Sequence, residues 1–286
     1  MPFTSKLLQK DTWAIFNHGA TAYLVAGERE GAMIDTGDAP EDLRAYAESL
    51  CGKPVRIALN THGHFDHTGG NGYFRVAFMG PLAAKIAKTP NGGQDIEKYL
   101  LDYEIVPVTD GFTLDLGDRV IEAIRMDGHS PDCIAWLDHG GRLMFTGDNL
   151  MPGVPLKYKC VDPQPSMLLY AMSMAKLMAR RDEFDHCCGG HTEELLPGDM
   201  VNHALAAAIR ALDGETDGEP PRPPKERSPR DAGDKGPDFS KHDPAAQGFV
   251  KYKDVGLMFD KRYLRDATRY EVVEGKLAIA DIMQAA

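Results

Sequence analysis

"NTHGHFDHTGG", residues 60–70, places three histidines and one aspartate in the six positions 62–67. The apolar run "VRIALN" (55–60) leads straight into it and reads as a buried strand. On extended backbone His62 and His64 share a face, because residues two apart on a strand point the same way. The glycines at 63, 69 and 70 argue for a tight loop and against a helix through the stretch. Such a loop can turn Asp66 and His67 toward a second centre. A His-x-His pair alone does not separate a metal site from a histidine-rich turn, so the rest of the chain has to decide.

Three further segments repeat the pattern of a buried strand, a small residue and a ligand-type side chain. "VIEAIRMDGHS" (120–130) puts His129 beside Gly128. "RLMFTGDN" (142–149) puts Asp148 beside Gly147, and "FDHCCGGHT" (184–192) puts His191 beside Gly190. In a layered fold such strand ends converge on one edge, where loops on a rigid scaffold carry the chemistry. Glycine beside each ligand lets the backbone bend and leaves room for an ion.

The surroundings favour an α/β layered fold. "TAYLVAGEREGAMIDTG" (21–37) reads as two short strands joined by a charged turn. "APEDLRAYAESLCG" (39–52) reads as a helix with Pro40 near its start and Gly52 past its end. Residues 105–147 are strand-rich, with turns at Asp110-Gly111 and Gly117-Asp118 and a hairpin in "CIAWLDHGGRLMFTGD" (133–148). Two helices follow. One has Ser166 as its cap and Met167, Leu168, Ala171, Met174, Ala175 and Met178 on one face. The other carries Met200, Val201, Ala204, Leu205, Ala208, Ile209 and Leu212.

With these motifs in place, the chain resembles the metallo-β-lactamase-fold hydrolase superfamily from about Asn17 to Leu212. The resemblance rests on His-x-His-x-Asp-His followed by His129, Asp148 and His191 in the family's order, and on the opening strands "AYLVAGEREGAMIDTG". It implies an αββα four-layer sandwich with metals at one edge. By the same resemblance His62, His64 and His129 hold one ion, Asp66, His67 and His191 hold a second, and Asp148 bridges them. Asp35 in "IDTG" matches a structural aspartate that supports the site without ligating. Imidazole-rich sites suit Zn2+, two per chain, with manganese or iron also compatible. Histidine at position 64, where an iron-redox branch tends to have glutamate, favours hydrolysis. "HFDHTGG" is similar to the lactonase and glyoxalase II-like branches.

Charge counting then suggests a mechanism. Two divalent ions bring four positive charges, Asp66 and Asp148 return two, and a bridging hydroxide leaves roughly plus one. That balance suits hydroxide attack on a carbonyl, with Asp66 orienting the nucleophile or taking its proton. The expected activity is hydrolysis of a small ester, lactone or thioester. The alternatives are a single-iron persulfide-dioxygenase-type enzyme or a phosphodiesterase on the same fold. "NLMPGVPLKYKCVDPQPS" (149–166) reads as a loop over the metals. In it Tyr158 is a candidate oxyanion donor and Lys157 and Lys159 are candidate carboxylate partners. Phe65, Leu150, Met151 and Leu156 are either an apolar rim or core.

Composition sets the outer limits. The chain has 286 residues, 43% hydrophobic and 26% charged, with a formal net charge of −11. An acidic surface repels phosphate backbones and argues against nucleic acid as a partner. No run of roughly 18 apolar residues occurs and the start shows no signal peptide, which argues against a membrane partner. Five cysteines without a framework spacing fit reduced thiols in a cytoplasmic chain. The expected division is a hydrolase domain over 1–213, a Pro/Gly-rich irregular segment over 214–248 and an appendage over 249–286 packing on the main domain. The expected partner is a small-molecule substrate, and homo-oligomerisation stays open.

Overall fold

The computed structural model describes residues 3–17, 20–38, 40–89, 96–130, 133–156, 166–218 and 246–265. Its first half supplies β1 (Thr4–Gln9), β2 (Thr12–Asn17), β3 (Ala20–Ala26), β4 (Gly31–Ile34), β5 (Val55–Leu59), β6 (Val76–Met79) and β7 (Glu104–Pro107). These form one seven-stranded sheet in chain order. The pairings from β1 to β4 are antiparallel and those from β4 to β7 parallel. Strands β3 and β4 are buried along their whole length, which explains their unbroken apolar sequences.

The second half supplies β8 (Thr113–Asp115), β9 (Val120–Met126), β10 (Cys133–Asp138), β11 (Leu143–Gly147), β12 (Gly153–Leu156), β13 (His186–Gly189), β14 (Leu196–Pro197), β15 (Gln247–Tyr252) and β16 (Val255–Asp260). Six of them make a sheet ordered β14-β13-β11-β10-β9-β8, and the other three a sheet ordered β12-β16-β15. The helices are α1 (Leu43–Cys51), α2 (Phe65–Thr68), α3 (Ala83–Ile86), α4 (Met167–Met178) and α5 (Met200–Leu212).

Packing defines four layers. Leu43, Ala47 and Ala83 of α1 and α3 pack on one face of the seven-stranded sheet, against Leu24, Met33 and Ala58. Tyr23, Val25, Ile34 and Leu59 from its other face meet Ile121, Ile134, Trp136 and Phe145 of the second sheet. The far side of that sheet carries α4, α5 and the three-stranded sheet. The architecture is the αββα sandwich. Each large apolar side chain buried between the sheets contributes roughly 1.5–3 kcal/mol. Trp136 also ties the sheets with a polar contact, its indole N–H donating to Asn60 O at 3.2 Å.

Local signals explain the elements. In α1, Asp42 Oδ1 accepts from Ala45 N at 2.9 Å, and Gly52 closes the helix at φ +68°. The β10–β11 hairpin turns through residues 139–142, and Arg142 takes the left-handed position at φ +53°.

Several expectations need correction. A four-residue helix, α2, does run through the histidine motif, because Gly63 precedes it and Gly69 and Gly70 follow it. The glycines bracket the turn and do not interrupt it. Ser166 stands at the N-cap of α4, but its hydroxyl makes no cap bond. In α4 it is Leu169, Tyr170, Ser173 and Leu177 that join the buried set, while Ala175 and Met178 are half-buried, since a second layer packs beside the expected stripe. In α5, Ala207 and Ala211 are buried, with Ile209 and Leu212 only partly so. Leu150, Met151 and Leu156 are core, and Phe65 is buried with its ring edge-on to Tyr99.

The described part of the tail is the hairpin β15–β16. Its Val250, Val255, Leu257 and Phe259 are buried with residues of α4 and α5. Residues 219–245 of the expected irregular segment and 266–286 of the tail lie outside the described residues. Among the described residues, no helix is long and apolar enough to cross a membrane.

Candidate metal centre

Four strand ends deliver the expected donors to one edge. His62 follows β5, His129 follows β9, Asp148 follows β11 and His191 follows β13. His64, Asp66 and His67 come from the start and body of α2. The structure brings all seven together. His62, His64 and His129 offer donor atoms within 4.8 Å of one another, as do His62, His67 and Asp148, and also Asp66, His67 and His191. Lys157, Tyr158 and Lys159 lie outside the described residues.

His64 Nδ1 lies 3.0 Å from His62 Nε2 and 3.0 Å from His129 Nε2. Tetrahedral coordination at the usual zinc–nitrogen distance separates ligand atoms by about 3.3 Å, so this trio has the spacing a single ion needs. Asp148 faces both ways. Its Oδ2 is 3.5 Å from His129 Nε2, while its Oδ1 is 3.4 Å from His67 Nε2 and 3.3 Å from His191 Nε2. Asp66 Oδ2 completes the second group, 3.7 Å from His67 Nε2 and 3.5 Å from His191 Nε2. His67 Nε2 and Asp148 Oδ1 are buried and have no hydrogen-bond partner among the described residues. Polar atoms left so in a native interior call for an unseen partner, and a cation between them satisfies both.

Backbone shape keeps this space open. Gly147, at φ +52°, makes the bend that releases Asp148 from β11. A Cβ on Gly190 would stand 2.2 Å from Asp148 Oδ1 and 2.7 Å from His67 Cε1, so any side chain there would fill the cradle.

Hydrogen bonds behind the donors set the ring tautomers. The Thr61 hydroxyl donates to Asp35 Oδ2 at 2.7 Å, so it accepts from His62 Nδ1 at 3.1 Å. Asp35 Oδ2 also accepts from His67 Nδ1 at 2.8 Å, and Pro155 O accepts from His129 Nδ1 at 2.8 Å. All three rings therefore carry their proton on Nδ1 and present Nε2 to the centre. Asp35 sits at φ +55°, a left-handed position that aspartate tolerates better than most residues. It additionally accepts from Thr61 N at 2.7 Å. Asp35→Ala strands His67 Nδ1, and cation affinity is expected to fall about 10–100-fold. Competition titration against a zinc chelator checks this; unchanged affinity would refute the supporting role.

Charge divides the donors into two kinds. Burial, reinforced by neighbouring imidazoles, pushes His62 down and His64 to about 3. Burial likewise lowers His129. These rings are neutral donors. Burial also opposes charge on His67, but Asp66, Asp148 and Asp35 together raise it. His191 is raised to about 9, Asp148 outweighing its burial. Asp148 itself is buried, yet His191, His67 and His129 hold its carboxyl well below the usual range. In the second group Asp148 is thus paired with imidazoles that keep their protons, and a bound cation would take the place of those protons.

Sequence reading missed the web behind the ligands. Asn60 Nδ2 donates to His67 O at 2.8 Å, Asn71 Nδ2 to Asn60 Oδ1 at 2.9 Å, and Thr36 Oγ1 to Asn71 Oδ1 at 2.8 Å. Asn149 Oδ1 accepts from His129 N at 2.9 Å. Strand β3 pins the His191 loop: Thr21 N donates to Gly190 O at 2.7 Å and Tyr23 Oη to Gly189 O at 2.6 Å. Asn60 and Asn149 adjoin the motifs and were findable there; the others carry no local signal. In another cluster, Glu122, His139 and Glu183, both glutamates are already paired with Arg180, and Glu122 with His139 as well.

Two facing sheets with imidazoles and carboxylates gathered at one edge define the class, an αββα sandwich with a candidate metal centre at its rim. Comparison with known proteins agrees. A family model described as the metallo-beta-lactamase superfamily matches residues 17–199, and the chain belongs to that superfamily. The acyl-coenzyme A thioesterase MBLAC2 of Gallus gallus is 28% identical over 209 residues, 63% of this chain and 72% of that protein. An atrochrysone carboxyl ACP thioesterase of Aspergillus fumigatus is 30% identical over 152 residues. That match takes in 52% of this chain but 33% of the fungal protein, so the chain spans about a third of this relative's length. Among solved structures, a metallo-beta-lactamase from Pontibacter korlensis superposes with TM-score 0.58 at 16% identity, over 72% of this chain and 99% of that one. The FIM-1 metallo-beta-lactamase of Pseudomonas aeruginosa, in its mono-zinc form, gives 0.57 at 17% identity over 74% and 96%. These two likenesses speak to the fold alone.

Proposed function

We propose that this protein is a dinuclear metal-dependent hydrolase of small thioesters, with esters and lactones as related substrates. His62, His64 and His129 would hold one divalent cation and Asp66, His67 and His191 the other, with Asp148 placed to serve both. The observation that carries the reading is Asp148, one carboxylate oxygen turned toward each group of imidazoles. Zinc fits the nitrogen-rich donor set best. When bound, two such cations supply Lewis acidity and a hydroxide nucleophile at neutral pH.

The chain's own groups then do the rest. The buried rings of His62, His64, His67 and His129 exclude water from the inner side and fix where the carbonyl is attacked. Asp66 is the more exposed of the two carboxylates, and its carboxyl group orients the nucleophile or accepts its proton. Leaving-group chemistry favours thioesters. A thiol has a pKa near 8.5, so a thiolate departs without a proton, whereas an amine must be protonated first. The names of the two thioesterase relatives support the same choice. The cytoplasmic setting, read from the unframed cysteine count, belongs to the proposal as well.

The test is elemental analysis of protein purified without added metal, followed by acyl-coenzyme A, lactone, aryl ester and phosphodiester panels. Two zinc ions per chain and thiol release from acyl-coenzyme A are expected. Chelation should abolish turnover and zinc should restore it. One iron with oxygen uptake, or turnover of the phosphodiester alone, would replace this reading.

A further inference from the structure

The three-stranded sheet lies outside the family-matched residues except for β12, yet it reaches the metal centre through one carbonyl. Two of the contacts that hold His129 come from the segment just after Asp148. Its backbone N–H donates to Asn149 Oδ1 at 2.9 Å, and its ring Nδ1 to Pro155 O at 2.8 Å. Pro155 belongs to β12, a four-residue strand too short to hold its own place. What holds it is β16, paired in parallel with Gly153 opposite Gly256, Val154 opposite Leu257, Pro155 opposite Met258 and Leu156 opposite Phe259.

The pairing fixes which way each carbonyl points. Along a strand, the N–H and C=O of one residue leave on the same side, and the side alternates from residue to residue. Gly256 N donates to Pro152 O at 2.8 Å, so residues 152, 154 and 156 address β16. Residues 153 and 155 therefore address the opposite side, where His129 lies. Proline suits position 155 because its missing N–H falls on the side that no ladder needs. A slip by one residue would place that missing donor inside the ladder, so proline also disfavours the wrong register. Val154, Leu156, Leu257 and Phe259 are all buried, which locks the pair in the core.

We propose that the C-terminal hairpin β15–β16 is a positioning element for His129: by pairing with β12 it holds the Pro155 carbonyl against Nδ1 and so aims Nε2 at the centre. This rests on His129 being a metal ligand. The other group of donors is held from elsewhere, His67 by Asp35 and the His191 loop by Thr21 and Tyr23. Loosening the hairpin should therefore affect one ion and spare the other. A merely structural hairpin would weaken both alike.

The experiment is cobalt(II) titration of the metal-free full-length protein by absorption, with His129→Ala and His191→Ala assigning each band to its ion. Gly256→Pro removes the donor to Pro152, and Leu257→Ala keeps every backbone donor while emptying the core beneath the pairing. Both variants are expected to bind the ion at His62, His64 and His129 about 10–100-fold more weakly, with the other ion within about twofold of wild type. Equal weakening at both sites, or none, overturns the inference. Should neither variant fold, the zinc-loaded wild type decides by nitrogen-15 resonance. A slowly exchanging proton on His129 Nδ1, in a protein whose β12–β16 amides resist exchange equally, is expected, and its absence overturns the inference. If His129→Ala leaves both ions bound as in wild type, the ligand assignment fails instead. If it loses one ion while the hairpin variants lose nothing, only the positioning role fails.

Discussion

Asp148→Ala is expected to lower kcat/KM for thioester hydrolysis by on the order of 10³ or more, about 4 kcal/mol of barrier, in a protein that still folds. The side chain is buried, and its carboxylate oxygens face imidazoles of the centre. Its loss removes a carboxylate that faces both sets of donors. His64→Ala should act similarly, because His64 Nδ1 sits between the other two nitrogens of the trio. Steady-state kinetics with circular dichroism on the same samples checks both. Activity within tenfold of wild type in either folded variant would sink the site assignment.

Arg119→Ala is expected to cost roughly 3–5 kcal/mol of stability and to lower Tm by roughly 10 °C. Arg119 is buried between the sheets and pairs with the fully buried Asp138. Its Nη1 donates to Asp11 O, and the Nη2 that pairs with Asp138 also donates to Thr12 Oγ1, each at 2.9 Å, so one guanidinium bridges β10, the β1–β2 turn and β2. Truncation leaves Asp138 charged in a dry interior, where an unpaired carboxylate is strongly unfavourable. Replacing the pair together, as Arg119→Met with Asp138→Leu, should recover much of the loss. Because Asp138 ends the strand whose other end lies near His129, about 17 Å away along β10, metal affinity should hardly change. Denaturant unfolding of the metal-free protein gives the measurement. A loss under about 1 kcal/mol for Arg119→Ala would contradict the bridging role.

The donor set was legible because its grammar is local. A strand end, a glycine and a ligand-type side chain must be covalent neighbours for the backbone to bend and the ion to fit. Gly147 and Gly190 bear this out, one by its φ of +52° and the other by the space its missing Cβ leaves. The alternation of apolar runs and capped helices was local too, so the layered class could be read without any contact information. Helix α2 was misread because two glycines after a turn and two glycines within it look alike in sequence.

What the chain order alone determined is therefore which donor-type residues converge and in what kind of scaffold. Apart from Asp35, already marked as a support by the family resemblance, only the folded molecule decided which residues stand behind which donor. Asp35 stands behind His67, Pro155 behind His129, and β3 behind His191, each across a gap in sequence that no periodicity spans. These partnerships follow from strand pairing and crossovers, where a carbonyl or carboxylate comes within reach only after whole layers have packed. A hydrogen bond of 2.8 Å needs placement finer than any pattern of residue types can encode.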